Sequence, residues 1–293
     1  MIRVSEEVRA ATAVVALETT LVAHGFPAGE GIRVGREAER RVREAGAVPA
    51  TVGVLDGEIR VGLSEDELAR FDPTARKTGP RDLAACAVRG ETGATTVGGT
   101  LAVCRAAGIR VMGTGGLGGV HRGFAAHPDI SADLFALAST QVVVVSSGVK
   151  SLLDVAATAE LLETLGVPVL GYRADELPLF YRARGGPPVS ARVESAAEAA
   201  ALALAHWRLG GAGLLLARPP DDSLDDIEPL LGEGLAEAER RGVVGQGVTP
   251  FVLSFLHERS GGRTLRANRD LVVANAALAG DVATALSAAG SVE

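Results

Sequence analysis

The stretch Gln141-Val142-Val143-Val144-Val145-Ser146-Ser147-Gly148-Val149-Lys150-Ser151-Leu152-Leu153-Asp154 decides the fold. Four consecutive valines read as a strand buried on both faces, the kind found inside a parallel sheet. Small residues then turn the chain, and Leu152 to Leu165 resumes at helical spacing. Lys150 is thereby expected where a buried strand hands over to a helix. In open α/β sheets that end of the strand is where ligands collect.

Composition draws attention to the same residue. Lysine and arginine together number 29, yet only Lys77 and Lys150 are lysines, leaving 27 arginines. Arginine stays protonated, whereas a lysine amine can lose its proton and attack a carbonyl carbon to form a Schiff base. Apolar surroundings and the positive end of a helix dipole would both favour the neutral amine at Lys150.

A chain of 293 residues can bury a substantial core. Its net charge of −7 and 3% aromatic content offer neither a basic stripe nor a stacking platform, so no nucleic-acid partner is expected. Cys86 and Cys104 form no metal or redox pair and no disulfide framework. The opening residues lack a signal pattern, and no apolar run reaches the roughly 18 residues that span a bilayer. The expectation is a soluble cytoplasmic protein with no membrane partner.

Outward from the valine run, strands alternate with helices along the whole chain. This predicts one α/β domain over 1–293, a three-layer α/β/α arrangement with a mostly parallel central sheet. Ala50 to Leu63 alternates apolar residues around Asp56-Gly57 and predicts a small β-hairpin with a structural role. Ser64-Glu65-Asp66-Glu67 reads as the cap of a short helix.

Several stretches carry candidate chemistry. Glu18 interrupts the apolar strand Val14 to Ala23, and burial there would raise its pKa toward that of a general acid. The alternatives are pairing with an arginine or exposure on an edge strand. Lys77 lies in the polar loop Thr74 to Leu83, which suits an anion as well as it suits solvent. Gly93 to Thr100 reads as a hydroxyl- and glycine-rich turn before the helix Leu101 to Ala107, able to hold a phosphate. Gly113, Gly115 and Gly118 satisfy a dinucleotide-like spacing, but His121-Arg122-Gly123 follows where a helix would be needed, so a smaller ligand is expected. His121, His127, Asp129 and Asp133 suit a hard divalent ion holding several waters, or else Asp129 or Ser131 caps the helix Ala132 to Ala138. Asp175 to Gly186 is an irregular loop, read as a lid or a subunit contact.

Taken together, ALETTLVAHGFP (16–27), VPATVGVLDGEIRVGL (48–63), GGTLAVCRAAGIRVMGTGGLGGVHRG (98–123), DISADL (129–134), SSGVKSLLD (146–154), GVPVLGYRADELPLFY (166–181) and VTPFVL (248–253) resemble the pseudouridine-5′-phosphate glycosidase family, also met as the indigoidine synthase A-like group. The resemblance implies Lys150 as nucleophile and Glu18 as proton donor. It implies substrate contacts at Lys77, Val97, Ser131, Ala132 and Asp133, a uracil partner in His121, and Asp129 as a Mn²⁺ ligand. It also implies a substrate contact near the C-terminus at Asn275, with Asn268 the alternative. A homotrimer with an α/β/α fold is implied as well. Two places depart from the family pattern: Thr78-Gly79-Pro80 replaces a serine-containing stretch, and Ala274-Asn275-Ala276 replaces paired asparagines.

The implied reaction is reversible cleavage of the carbon–carbon glycosidic bond of pseudouridine 5′-phosphate to uracil and ribose 5-phosphate. An opened ribose bonded through C1 to a lysine amine gives an iminium route out of that bond, with a carboxyl supplying protons. Two-carboxylate glycosidases instead flank a glycosidic oxygen. The competing readings are a Schiff-base enzyme on another C-nucleoside or sugar phosphate, and a non-catalytic sugar-phosphate-binding protein.

Overall fold

The computed structural model describes residues 2–27, 29–125, 128–243 and 245–290. The valine run forms the strand Val143–Ser146, between Val111–Gly113 and Leu214–Ala217 and parallel to both. Val142 through Val145 are fully buried, each side chain contributing about 1.5–3 kcal/mol of burial. Outward on one side come Val169–Tyr172 and Ala191–Val193. On the other come Val14–Glu18, Val48–Leu55, Glu58–Val61 and Ile2–Val4. Arg76–Thr78 and Gly93–Thr95 branch from Val48–Leu55 to complete an 11-stranded, mostly parallel sheet.

The hairpin is no appendage. Its first strand pairs with Val14–Glu18 and its second with Ile2–Val4, so both belong to the main sheet. Asp56 (φ 51°) and Gly57 (φ 79°) both take the positive dihedrals that the tight hairpin turn requires. The separate small sheet is elsewhere, where Val120–His121 pairs antiparallel with Leu153–Asp154. Ser64 and Glu67 form the capping box of the short helix Glu65–Leu68.

Helices flank the sheet in two groups. Arg263–Gly290 packs on Glu30–Glu44, on Ala196–Arg208 and on the strands Val14–Glu18, Val111–Gly113 and Val143–Ser146. Val97–Ala107 packs on Ala132–Ala138 and on the strands Val14–Glu18 and Val48–Leu55. By length and composition Arg263–Gly290 could cross a membrane, but half of its most apolar window is buried in the fold. It is a core helix against the sheet.

Two boundaries differ from the sequence reading in ways that matter for the site. The helix after Lys150 begins only at Val155, capped by Asp154, whose Oδ1 accepts the Ala157 amide at 3.0 Å. Lys150 therefore does not stand at a helix N-terminus, and no dipole acts on it from there. The turn at Gly93 to Thr100 is instead the strand Gly93–Thr95 followed directly by the helix Val97–Ala107, capped by Thr96.

Candidate active site

The strand ends converge on a cavity of about 480 Å³. Its wall includes Glu18, Lys77, His121, Asp129, Ser131, Ala132, Asp133 and Lys150, drawn from segments far apart in sequence. Val97 and Asn275 are off that wall, both buried, while Asn268 is on it. A larger open groove of about 1030 Å³ runs past Arg36, Arg40, Arg43 and Glu65, but its side chains pair with one another, as Arg43 does with Glu7. Among the described residues that line it there is no lysine and no histidine.

Glu18 ends an interior strand, between Val48–Leu55 and Val111–Gly113. Neither edge exposure nor an arginine partner describes it. Its Oε1 accepts the Thr114 hydroxyl at 2.5 Å. Burial raises its pKa above the ordinary carboxylate value; Lys150 and the Thr114 hydroxyl pull it down, and the Asp133 charge adds to the rise.

Both lysines of the chain reach this cavity. Lys77 sits on the strand Arg76–Thr78 and not in a loop. Burial lowers its pKa, the nearby Lys150 charge lowers it further, and Asp133, Glu18 and Asp129 oppose that. Lys150 follows the valine strand by four residues; its amide donates to the Leu117 carbonyl at 3.1 Å. Gly116 is the floor beneath it: a Cβ there would come 3.2 Å from Lys150 Cγ and 2.6 Å from Phe180 Cδ2.

Asp133 is a clasp. Its Oδ1 accepts the Gly98 amide at 2.7 Å and its Oδ2 the Gly118 amide at 3.0 Å, joining the start of a helix to the glycine loop. The amides expected to cradle a phosphate at Gly93 to Thr100 are thus partly taken: Gly98 by Asp133, and Gly99 by the Thr96 hydroxyl at 3.1 Å. Glycine is required at 118, since a Cβ would fall 2.3 Å from Ser131 Oγ and 2.6 Å from Asp133 Oδ2. Ser131 caps Ala132–Ala138, accepting from the Asp133 amide at 3.3 Å, while lining the cavity at the same time.

His121 Nε2 lies 3.8 Å from Asp129 Oδ2, and the His121 amide donates to the Asp129 carbonyl at 3.0 Å. Burial lowers the His121 pKa, opposed by Asp129 and reinforced by the Lys77 and Lys150 charges. Among the described residues no three His, Cys, Asp or Glu side chains form a metal cluster. His127, included in the sequence reading of that site, is outside the described residues. A single cavity-facing carboxylate such as Asp129 still suits a hard ion that keeps several waters and takes substrate oxygens as further ligands.

Three wall residues escaped the sequence reading. Thr114, inside the glycine loop, holds Glu18. His24 ends the short helix Thr20–His24, with Nε2 3.0 Å from the Ala75 carbonyl. Phe180 comes from the irregular loop at 175–186. Its φ of 62° is rare for a bulky side chain, and its amide donates to the Ser147 carbonyl at 3.1 Å. No periodicity marks any of the three.

Fold and cavity together define an α/β enzyme with two amines and a buried carboxyl on the wall of one cavity. The chain belongs to the indigoidine synthase A-like family, whose model matches residues 3–285. It is 48% identical to the pseudouridine-5′-phosphate glycosidase of Streptomyces griseus, over 96% of this chain and 91% of that protein. With the enzyme of the same name from Geobacillus kaustophilus it shares 44% identity over 97% and 98%. An indigoidine synthase A-like protein from Thermotoga maritima superposes with a TM-score of 0.88 at 38% identity, covering 98% of this chain and 97% of that one. The prealnumycin C-glycosynthase AlnA, solved in complex with ribulose 5-phosphate, superposes at 0.90 with 39% identity, over 100% and 99%.

Proposed function

We propose that this chain is a pseudouridine-5′-phosphate glycosidase, interconverting pseudouridine 5′-phosphate with uracil and ribose 5-phosphate. The observation that carries the reading is that a buried carboxyl, Glu18, and an amine, Lys150, line one cavity of a protein whose curated relatives bear that name. Glu18 protonates the ring oxygen as the C1–O bond breaks, opening the ribose. Lys150 nitrogen bonds to C1. The proton that the Lys150 nitrogen gives up on bonding returns to Glu18, which passes it to C5 of uracil. The nitrogen lone pair then forms the C1=N⁺ bond as the pair of the C1–C5 bond returns to the uracil ring. Water then adds to the iminium carbon, giving ribose 5-phosphate and the free amine. Burial suits Glu18 to this work, because a raised pKa keeps it protonated nearer neutral pH.

Lys77 supplies positive charge to the cavity, as Arg81 does on the same wall, and serves the substrate's anionic end. Asn268, on the wall, is better placed than Asn275 for a substrate contact. Asp129 would hold a Mn²⁺ ion, with His121 beside it for the uracil ring. Such an ion supplies charge to orient the phosphate and the sugar hydroxyls through its waters.

Homotrimeric assembly and a cytoplasmic location are part of the same proposal. Phe135 (71% exposed), Ile130 (43%) and Phe124 (39%) support the first as uncovered apolar surface, and Ile130 also lines the cavity. The free cysteines Cys86 and Cys104 support the second. Light scattering on the purified chain tests the assembly. The likeness to AlnA favours a second reading, in which the same site forms a carbon–carbon bond between a pentose phosphate and another aromatic acceptor.

The deciding experiment is uracil release from pseudouridine 5′-phosphate, with and without Mn²⁺, together with borohydride reduction in the presence of ribose 5-phosphate. Release and an adduct on Lys150 are expected. An adduct without release favours the second reading. Binding with neither leaves a sugar-phosphate-binding protein.

A further inference from the structure

Asn275 lies on the core helix Arg263–Gly290 and is wholly buried. Its Nδ2 donates to the Thr114 carbonyl at 2.9 Å and also meets the Gly115 carbonyl at 3.3 Å and Ser147 Oγ at 3.1 Å. The Ser147 hydroxyl in turn lies 3.4 Å from Asn275 Oδ1. These partners belong to two different strand-end loops. One follows Val111–Gly113 and carries Thr114, whose hydroxyl holds Glu18. The other follows Val143–Ser146 and leads within three residues to Lys150. The backbone repeats the tie, since Ser147 N donates to Gly115 O at 2.9 Å and Thr114 N to Val145 O at 3.0 Å.

We infer that Asn275 is a positioning residue that sets the separation of Glu18 from Lys150, acting on the first through Thr114 and on the second through Ser147. A primary amide suits the task because it donates twice and accepts. Without it, two inward-facing carbonyls lose a buried donor and the loops keep only their backbone cross-link. Misplacement of reacting groups by about 1 Å is enough to cost on the order of 10²-fold in rate. The inference rests on the roles of Glu18 and Lys150 proposed above.

The test compares Asn275→Ala, Asn275→Asp, Thr114→Val and Thr114→Ser with the wild type in kcat, KM and the pH profile of kcat/KM. Glu18 acts protonated, so its titration sets the alkaline limb. The charged groups acting on it are Lys150, Asp133 and Lys77, and none of these is altered. Thr114→Val removes a hydroxyl that favours the Glu18 anion, so the limb moves to higher pH, and kcat falls about 10- to 100-fold with KM little changed. Thr114→Ser restores both. Asn275→Ala moves the limb in the same direction, and the double variant Asn275→Ala/Thr114→Val falls short of the product of the two single effects. If Asn275→Ala does not fold, Asn275→Asp, which keeps the shape but replaces the donor with a second acceptor, is read in its place through kcat and KM, because its added carboxyl acts on Glu18 directly. A folded Asn275 variant with the wild-type pH profile, or effects that multiply fully, overturns the assignment while leaving the proposed function intact. A wild type that releases no uracil overturns both.

Discussion

Lys150 and Phe180 meet across Gly116, whose bare face receives the lysine stem and the edge of the ring together. Phe180 is held there with φ at 62°, its ring edge-on to Tyr181 with centroids 4.7 Å apart. A bulky residue kept in the left-handed region costs about 1–3 kcal/mol and persists where its surroundings over-determine it. The wall beside the amine is thus built by packing on both sides of one glycine.

Gly116→Ala should displace one or both neighbours. The expected result is a fall in kcat of about 10- to 100-fold with a stability loss of about 1–3 kcal/mol. Gly232→Ala is the control: it lies in the helix Glu228–Arg240 with nothing within 4 Å of its Cβ position. That change should raise stability by about 0.5–1 kcal/mol. Urea denaturation alongside initial rates reads both. Equal behaviour of the two variants would refute the wall.

Lys150→Arg keeps a cation and removes the nucleophile, so turnover should drop on the order of 10³-fold or more with the circular dichroism spectrum unchanged. Borohydride with ribose 5-phosphate should then leave no adduct. An adduct that persists on Lys77 would assign the Schiff base to the other amine.

Glu18→Gln should abolish uracil release and yet stabilise the fold in a pH-dependent way. The Glu18 pKa is raised by burial in the folded chain, so its stabilising contribution is full below the unfolded carboxyl pKa and is lost as pH rises through the folded value. The neutral amide does not titrate. The Tm advantage of the variant should therefore grow from acid to neutral pH in a thermal series, and a constant difference would contradict the buried, raised-pKa carboxyl.

His257, on the helix Val248–Arg259, has its pKa lowered to about 4 by burial, and its Nε2 has no hydrogen-bond partner among the described residues. The sign is opposite to that of Glu18. Its contribution is present above the ordinary value of 6.5 and lost as pH falls toward about 4, because the unfolded chain takes up the proton first. His257→Gln should lose less stability than the wild type between those limits, measured by urea midpoints.

Asp129→Asn should weaken activation by Mn²⁺. Activity titrated against the ion after chelation should need a higher concentration for half-effect, with KM raised more than kcat is lowered. An unchanged titration would move the ion elsewhere.

Much of the frame was legible in the sequence because it is locally encoded. The valine run, the Asp56-Gly57 turn and the Ser64–Glu67 capping box each state their structure within a few residues. The strands Ile2–Val4, Arg76–Thr78, Gly93–Thr95 and Ala191–Val193 were not, since three residues carry no periodicity and their pairing is non-local. Gly98 and Gly99 read as a turn, but they are glycines because Asp133 Oδ1 and the Thr78 carbonyl would lie 3.0 and 2.4 Å from their Cβ positions. Lys150 and Glu18 stood out by residue type. The support around them did not: Asn275 and Thr114 are separated by 161 positions, and only the folded chain brings them together.

With lysine confined to positions 77 and 150, side-chain amines in this protein report on one chamber only. A protease that cuts after lysine divides the chain into 1–77, 78–150 and 151–293. Modification of either residue blocks one of the two cuts. Acylating or reductively methylating reagents therefore act as cavity footprints without mutagenesis, and the missing cleavage identifies which amine a sugar phosphate has shielded or captured.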